Sequence, residues 1–171
     1  MKRSPRSTVL LIIVNASTWL AIHVFFAWGL TRLPLRLFDP AGFVCRPRRW
    51  ERNGEWYERV LRVKRWKNLL PDGALLFAGG FPKGKISGRD PVYLRRFIGE
   101  TCRGESVHWL VIAASPLFFL WNPLSGGLIN ILYACMANMP CIASLRYNRL
   151  HLLKILTRYA ERPEGKNSYG N

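Results

Sequence analysis

The stretch "ETCRGESVHWLVI", residues 100–112, places two glutamates, an arginine and a histidine directly before an apolar run. Ionisable groups at the mouth of an apolar segment cost free energy unless they are paired, solvated or used in function. Glu105 and His108 are three residues apart, so a helix would bring their side chains together. Glu100 and Arg103 repeat that spacing one turn earlier. The stretch therefore predicts a helix that carries a polar site to the edge of an apolar segment.

Three apolar stretches surround this site in the sequence: residues 8–30, 109–121 and 128–145. A helix over the first would span roughly 35 Å, which is enough to cross a bilayer core. We expect this helix to be retained, because the run is long for a signal peptide and lacks a small-residue cleavage site. The other two stretches are joined by the short turn "NPLSGG". The prediction is an all-α membrane protein of one domain, with a transmembrane helix at 8–30 and a helical hairpin of residues 91–121 and 128–145.

The basic residues are distributed unevenly along the 171-residue chain, whose formal net charge is +16. Lys and Arg number 3 before the first apolar stretch, 17 in residues 31–105 and 6 in the tail of residues 146–171. Because a hairpin returns the chain to the side it left, the last two groups share one side of the membrane. The positive-inside rule places that side in the cytoplasm. We therefore expect a cell-membrane protein, multi-pass or hairpin-anchored, whose active face is cytoplasmic.

Residues 50–70, "WERNGEWYERVLRVKRWKNLL", combine apolar residues at helical spacing with many cations. This pattern is typical of a basic interfacial helix that lies in the headgroup layer and binds membrane lipids. A helix packed on the core with a solvated basic face is the alternative. A nucleic-acid partner is not expected, because the aromatic residues share one stripe with aliphatic residues. Residues 71–91 are rich in glycine and proline and predict a loop, and Asp90-Pro91 predicts the start of the next helix.

The pair Glu105 and His108 has the spacing of an acid–base site, because a carboxylate that accepts one imidazole N–H raises the basicity of the other nitrogen. Two metal ligands could share this spacing, but a third is not evident, and no metal is expected. Polar groups also end the last apolar stretch in "SLRYNR", where arginines can fork onto phosphate oxygens. Stop-transfer charge with an interfacial tyrosine would look similar. The candidate binding residues of this region are Asn130, Asn138, Arg146, Asn148 and Arg149.

Familiar acyl-transfer signatures are absent: the fifth residue after His108 is Ala113 rather than Asp, and no G-x-S-x-G elbow occurs. The four cysteines show no C-x-x-C spacing, so reduced thiols are expected. From residue chemistry, the chain is a small membrane protein with an interfacial polar site. A non-catalytic protein that binds anionic lipid or a partner enzyme remains open, as does an ester hydrolase.

The same motifs resemble the glycosyl-4,4'-diaponeurosporenoate acyltransferases of staphyloxanthin-type carotenoid synthesis. The core of the resemblance is E-T-x-R-x-E-x-x-H-W at residues 100–109, followed by N-x-P at 138–140 and R-Y-N-R at 146–149. Further matches precede that block along the chain, in Thr31-Arg32, Pro34, Glu51, Gly54, Val63, Trp66-Lys67 and Asp72-Gly73. The chain departs from the pattern at Leu145, where the family has glutamine, and in the loop of residues 74–89.

The resemblance implies transfer of a fatty acyl group from a thioester such as acyl-CoA to a hydroxyl of a glycosylated carotenoid or other glycolipid. The implied reaction needs no cofactor beyond the acyl donor. His108 would be the general base and Glu105 its orienting partner. The arginines would bind donor phosphates or an oxyanion, and Asn138 and Asn148 would position the acceptor sugar. The implied substrate-binding set is Glu100, Arg103, Asn130, Asn138, Arg146, Asn148, Arg149, Trp66 and Lys67.

Overall fold

The computed structural model describes residues 5–70 and 90–161, and these residues form helices and turns with no strand among them. Its centre is an antiparallel pair of helices, α4 (Pro91–Ala114) and α5 (Leu124–Ala160). The carboxylate of Asp90 accepts a hydrogen bond of 3.1 Å from the backbone amide of Tyr93, and Pro91 occupies the first helical position. The predicted start of this helix is confirmed, because both residues satisfy or remove unpaired N–H groups of the first turn.

The hairpin turn is tight because a glycine lies under an aromatic ring. A 3-10 segment, Ser115–Leu120, continues α4 toward the turn, and α5 begins after Pro123. A Cβ added to Gly127 would lie 2.1 Å from the Phe119 ring, far closer than van der Waals contact. The sequence-based bounds of the second arm were too short. Helix α5 begins at Leu124 and continues to Ala160, so most of the predicted basic tail is helical, and residues 162–171 lie outside the described part.

Three apolar clusters hold the hairpin to its surroundings. The first cluster joins the start of α4 to the last third of α5, and its buried members are Leu94, Phe97, Ile98 and Leu152. The second lies near the turn and contains Trp19, Val111, Phe118 and Ala134. The third covers the middle of α5 and contains Tyr57, Val63, Ala143, Tyr147 and Leu150. Apolar burial on this scale is the main source of stability in such a small helical domain.

Helix α1 (Pro5–Arg32) lies beside α4 and the turn, with most of its apolar side chains exposed. Polar bonds tie it to the hairpin: the Asn15 amide donates to the Asn122 amide oxygen at 3.1 Å, and the Trp19 indole donates to Asn130 at 2.9 Å. Both α1 and α5 are long and apolar enough to cross a membrane. The predicted all-helical architecture is confirmed for the described residues, and the predicted crossing of a membrane stays a prediction.

Residues 50–70 do not form the single amphipathic helix that their spacing predicted. The chain instead makes a 3-10 turn at Arg49–Gly54, α2 at Glu55–Arg59, α3 at Val63–Trp66 and a 3-10 turn at Lys67–Leu69. Three non-glycine residues there, Arg52, Asn53 and Arg62, have positive φ, which breaks the helix. Burial of Tyr57 and Val63 against α5 outweighs local helical preference. The predicted loop at 71–91 falls almost wholly outside the described residues.

Candidate active site

Glu105 is the centre of the polar network between α4 and α5. Its side chain is fully buried, and one carboxylate oxygen accepts hydrogen bonds from the Trp109 indole at 3.1 Å and from Arg146 Nη1 at 2.6 Å. The other oxygen accepts a short bond from Arg149 Nη2. The two arginines are one turn apart on α5, so both reach a single carboxylate across the helix interface. The hairpin therefore brings the two predicted polar blocks into direct contact.

All three nitrogens of Arg146 donate hydrogen bonds to protein acceptors. Its Nε donates to Glu51 at 2.7 Å, Nη1 donates to Glu105 and to the carbonyl of Val44 at 2.9 Å, and Nη2 donates to the carbonyl of Arg46 at 3.1 Å. Four of the five N–H groups of this guanidinium are therefore bound by acceptors within the described residues. Arg146 thereby attaches the segment around residues 44–51 to the hairpin.

Glu51 belongs to this network although its local sequence pattern predicted no role for it in the site. It is fully buried, accepts 2.7 Å bonds from Tyr57 Oη and Arg146 Nε, and closes a capping box with the Arg48 amide. Burial raises the pKa of Glu51, but the hydrogen bonds from Arg146, the Arg48 amide and Tyr57 together lower it below the usual value. The only sequence signal for Glu51 was its position among the residues that carry the family resemblance.

His108 lies one turn beyond Glu105 on α4 and is half-buried. Its Nδ1 lies 2.8 Å from Oδ1 of Asn138, a residue of α5 that is 1% exposed. The sequence predicted that Glu105 would accept a hydrogen bond from the imidazole of His108 and so orient the ring. In the structure the hydrogen bond at Nδ1 goes to Asn138 instead, while Glu105 faces the two arginines. A buried carboxylate gains more from two guanidinium groups than from a neutral ring.

The pair Glu100 and Arg103 forms as the spacing predicted, with 2.8 Å between Oε1 and Nη1 and both side chains largely buried. Arg103 also donates to the carbonyl of Leu33 at 3.0 Å and lies over the Phe38 ring. This pair therefore fastens the end of α1 to α4. The predicted binding residue Asn130 lies two turns from Asn138, roughly 12 Å along the helix, and accepts the bond from Trp19 described above.

The other predicted binding residues lie on the outer side of the arginines. Lys67 Nζ donates to Oδ1 of Asn148 at 2.9 Å and lies 5.2 Å from the centre of the Tyr147 ring. Burial, together with repulsion from Lys64, lowers the pKa of Lys67. The indole of Trp66 donates to the carbonyl of Leu61 at 2.7 Å. Trp66 thus stabilises the short helical turns, while Lys67 and Asn148 form a polar pair at the edge of the network.

Arg149 differs from Arg146 in its hydrogen bonds. It is 1% exposed, and its Nε and Nη1 have no hydrogen-bond partner among residues 5–70 and 90–161. The thiols of Cys45 and Cys102 lie within electrostatic reach of this guanidinium. The hydrogen bond between the two thiols raises the pKa of Cys45 and lowers that of Cys102. All four cysteines are free in the structure, and the expectation of reduced thiols stays a prediction.

Comparison with known proteins identifies the family of this chain. A family model described as glycosyl-4,4'-diaponeurosporenoate acyltransferase matches residues 34–158. The chain belongs to that family. The match includes the whole buried network from Glu51 to Arg149. The protein is therefore an acyltransferase, as the resemblance implied, and the family places it in carotenoid biosynthesis.

Curated members of the glycosyl-4,4'-diaponeurosporenoate acyltransferase family align with most of the chain. The enzymes of that name from Staphylococcus aureus strains bovine RF122 / ET3-1, USA300 and MRSA252 are each 31% identical over 147 residues. The aligned region covers 84% of this chain and 88% of each relative. No solved structure matches the chain.

The described part of the acyltransferase offers no evident metal site. Within the described ranges, no group of three or more His, Cys, Asp or Glu side chains is placed to bind an ion. The expectation that the reaction uses no metal stays a prediction. The chemistry available to the described site consists of one imidazole, buried carboxylate–guanidinium pairs and amide groups.

Proposed function

We propose that the protein is a membrane-bound acyltransferase that moves a fatty acyl group from a thioester to a hydroxyl of a glycosylated carotenoid. The name that the relatives share supports this class of acceptor. The observation that carries the proposal is the placement of His108 one turn from Glu105, where two arginines of α5 converge on the same carboxylate. A basic ring beside a rigid polar frame suits proton transfer during acyl transfer.

The chemistry assigned to this site is one displacement at a carbonyl carbon. His108 takes the proton of the acceptor hydroxyl as that oxygen attacks the thioester carbonyl. The tetrahedral intermediate collapses with loss of the carbon–sulfur bond, and the leaving thiolate takes the proton from the imidazolium. The products are an ester and a free thiol, and the histidine returns to its starting state. No cofactor takes part beyond the acyl donor.

The remaining polar residues receive roles that follow from their bonds. Glu105 and Arg146 position the other residues of the site, because each makes at least three hydrogen bonds inside the protein. Arg149 is the arginine whose Nε and Nη1 remain for the negative charge that develops on the carbonyl oxygen. Lys67 and Asn148, at the edge of the network, would meet the donor phosphates and the acceptor sugar.

The dimensions of the hairpin support the proposed membrane insertion. Helix α5 has 37 residues and is roughly 56 Å long, while a hydrocarbon core of about 30 Å needs about 20 residues. If residues 124–143 lie in the core, Arg146 and Arg149 lie at headgroup depth. The exposed cations of residues 49–65 then lie on the same side as the end of α1, where they can contact anionic lipid headgroups. The distribution of Lys and Arg supports a cytoplasmic placement of that side.

Activity is tested with the purified full-length protein in detergent, labelled acyl-CoA and a panel of glycosylated polyprenoid acceptors. The His108→Ala variant should lose about 10²–10⁴-fold in kcat, the range for loss of a general base. His151→Ala, which removes an exposed histidine of α5, is the matched control and should keep near wild-type rates. Equal activity of the His108→Ala variant would exclude this histidine as the base. Absence of turnover with every donor, alongside retained binding to anionic vesicles, would favour a non-catalytic lipid-binding role.

Orientation is tested separately with cysteine labelling. Glu55→Cys and Leu124→Cys introduce thiols at exposed positions on α2 and at the hairpin turn. A membrane-impermeant maleimide should label the first in inverted vesicles and the second in intact cells, each compared with the parent protein. Labelling of both from the same side would contradict a spanning hairpin.

A further inference from the structure

Two asparagines of α5 hold ring nitrogens of neighbouring helices in the same way. Asn130 and Asn138 are eight residues apart, and each is at least nine-tenths buried. The Nδ2 of Asn130 donates to the carbonyl of Gly126 at 2.9 Å, and that of Asn138 donates to the carbonyl of Ala134 at 2.8 Å. Each bond reaches the carbonyl four residues earlier in the same helix. Each amide therefore turns its oxygen away from its own helix.

The amide orientation follows from this arrangement. A backbone carbonyl can only accept a hydrogen bond, so the side-chain atom that meets it must be the amide nitrogen. The opposite atom, Oδ1, then faces the ring across the interface. For Asn130 that ring atom is Nε1 of Trp19 at 2.9 Å, an obligate donor, so the assignment is consistent at that position. For Asn138, the ring atom that faces Oδ1 is Nδ1 of His108, at 2.8 Å.

An imidazole nitrogen, unlike an indole nitrogen, carries a proton in only one of its two neutral forms. An amide oxygen cannot donate, so the bond between Asn138 and His108 requires the proton on Nδ1. The basic lone pair of the neutral ring then lies on Nε2. The tautomer of His108 is therefore selected by the buried, neutral side chain of Asn138, which α5 holds in place.

From these contacts we infer that Asn138 is a positioning residue, which keeps a proton on Nδ1 of His108 and so makes Nε2 the nitrogen that takes the acceptor proton. The inference rests on the proposed function of His108 as the base. Asn138 acts through the ring and does not contact the reacting atoms. It differs from the acceptor-binding role that the resemblance implied, because its amide oxygen faces the imidazole and its amide nitrogen faces the helix backbone.

The inference is tested by the tautomer of His108 in the full-length protein. Protein labelled with ¹⁵N-histidine is studied by NMR in detergent, at a pH where the ring is neutral. The chain has three histidines, so His23→Gln and His151→Gln assign the signals. Wild type should show His108 with its proton on Nδ1. Asn138→Leu should move the ring toward the Nε2–H form, whereas Asn138→Asp, which keeps an oxygen toward the ring, should retain Nδ1–H.

Asn130→Leu is the matched control, since it removes the same type of amide from the same helix but from an indole. It should leave the His108 tautomer unchanged. In kinetics, Asn138→Leu should lower kcat by up to about 10²–10⁴-fold with little change in KM, because substrate still binds beside a ring with the wrong nitrogen protonated. Asn138→Asp should recover most of that rate.

A wild-type ring with its proton on Nε2 would overturn the inference, as would an unchanged tautomer in the Asn138→Leu protein. These outcomes are distinct from failure of the proposed function. If His108→Ala remains active, the base is misassigned whatever tautomer the ring adopts. If His108→Ala is inactive while wild type carries Nε2–H, only the role of Asn138 is lost.

Discussion

Replacement of Glu105 by glutamine removes the charge that two buried arginines share. Arg146 would keep its pair with Glu51, but the only carboxylate paired with Arg149 among the described residues is Glu105. The variant therefore leaves a guanidinium that is 1% exposed without a counter-ion. Breaking a buried ion pair from one side costs about 3–5 kcal/mol, because the remaining charge stays desolvated. Glutamine also turns an N–H group toward one of the arginine donors.

Two reference variants give the scale for that loss. Glu51→Gln leaves Arg146 paired with Glu105, so its cost should be that of a hydrogen bond to a charged group, about 1.5–3 kcal/mol. Glu55→Gln breaks an ion pair with Arg59 whose side chains are 61% and 74% exposed, which should cost under about 1 kcal/mol. The expected order of destabilisation is Glu105→Gln, then Glu51→Gln, then Glu55→Gln.

The assay is unfolding of the detergent-solubilised protein, followed by tryptophan fluorescence. For a chain of this size, about 1 kcal/mol corresponds to a midpoint shift of roughly 2–4 °C, so Glu105→Gln should unfold about 6–20 °C below wild type. The double variant Glu105→Gln, Arg149→Met should lose less than the sum of the two single variants, because the stranded cation is gone. A Glu105→Gln protein no less stable than Glu55→Gln, or strict additivity in the double variant, would refute this assignment of the buried charge.

Three further outcomes are expected. Folding lowers the pKa of Glu51, so the ionised carboxylate stabilises the fold above its unfolded pKa of about 4.3, and this stabilisation is lost as pH falls toward the folded pKa. Below about pH 4.3, the slope of the unfolding free energy against pH should therefore be smaller for Glu51→Gln than for wild type. Tyr57→Phe removes the 2.7 Å bond to the same carboxylate and should cost about 1.5–3 kcal/mol in denaturant unfolding. Gly127→Ala should lower the thermal midpoint because its Cβ would overlap the Phe119 ring, whereas Gly29→Ala, in open space on α1, should keep or raise it; equal effects would contradict the close turn.

The parts of the fold that sequence analysis predicted depend on short-range rules. The start of α4 at Asp90-Pro91 and the pair Glu100 and Arg103 each follow from positions within one or two helical turns. Hydropathy likewise identified the long apolar helices. These features need no knowledge of distant neighbours, which explains why they were predictable.

The errors occurred where distant contacts compete with local ones. Residues 50–70 carry a helical pattern, yet Tyr57 and Val63 are buried against α5, and Arg62 takes a left-handed conformation that breaks the helix. Helical spacing also made Glu105 a natural partner for His108. Arginines 41 and 44 residues away occupy that carboxylate instead, and an amide 30 residues away meets the imidazole.

Local pattern was therefore enough to establish a helical, membrane-compatible chain, and the motifs it carries were enough to indicate the acyltransferase family. The partner of each buried ionisable group was settled only when α4 and α5 came together. The reason is that helix periodicity depends on neighbours in the chain, whereas a desolvated charge is stabilised by whichever opposite charge the packing brings within hydrogen-bonding distance.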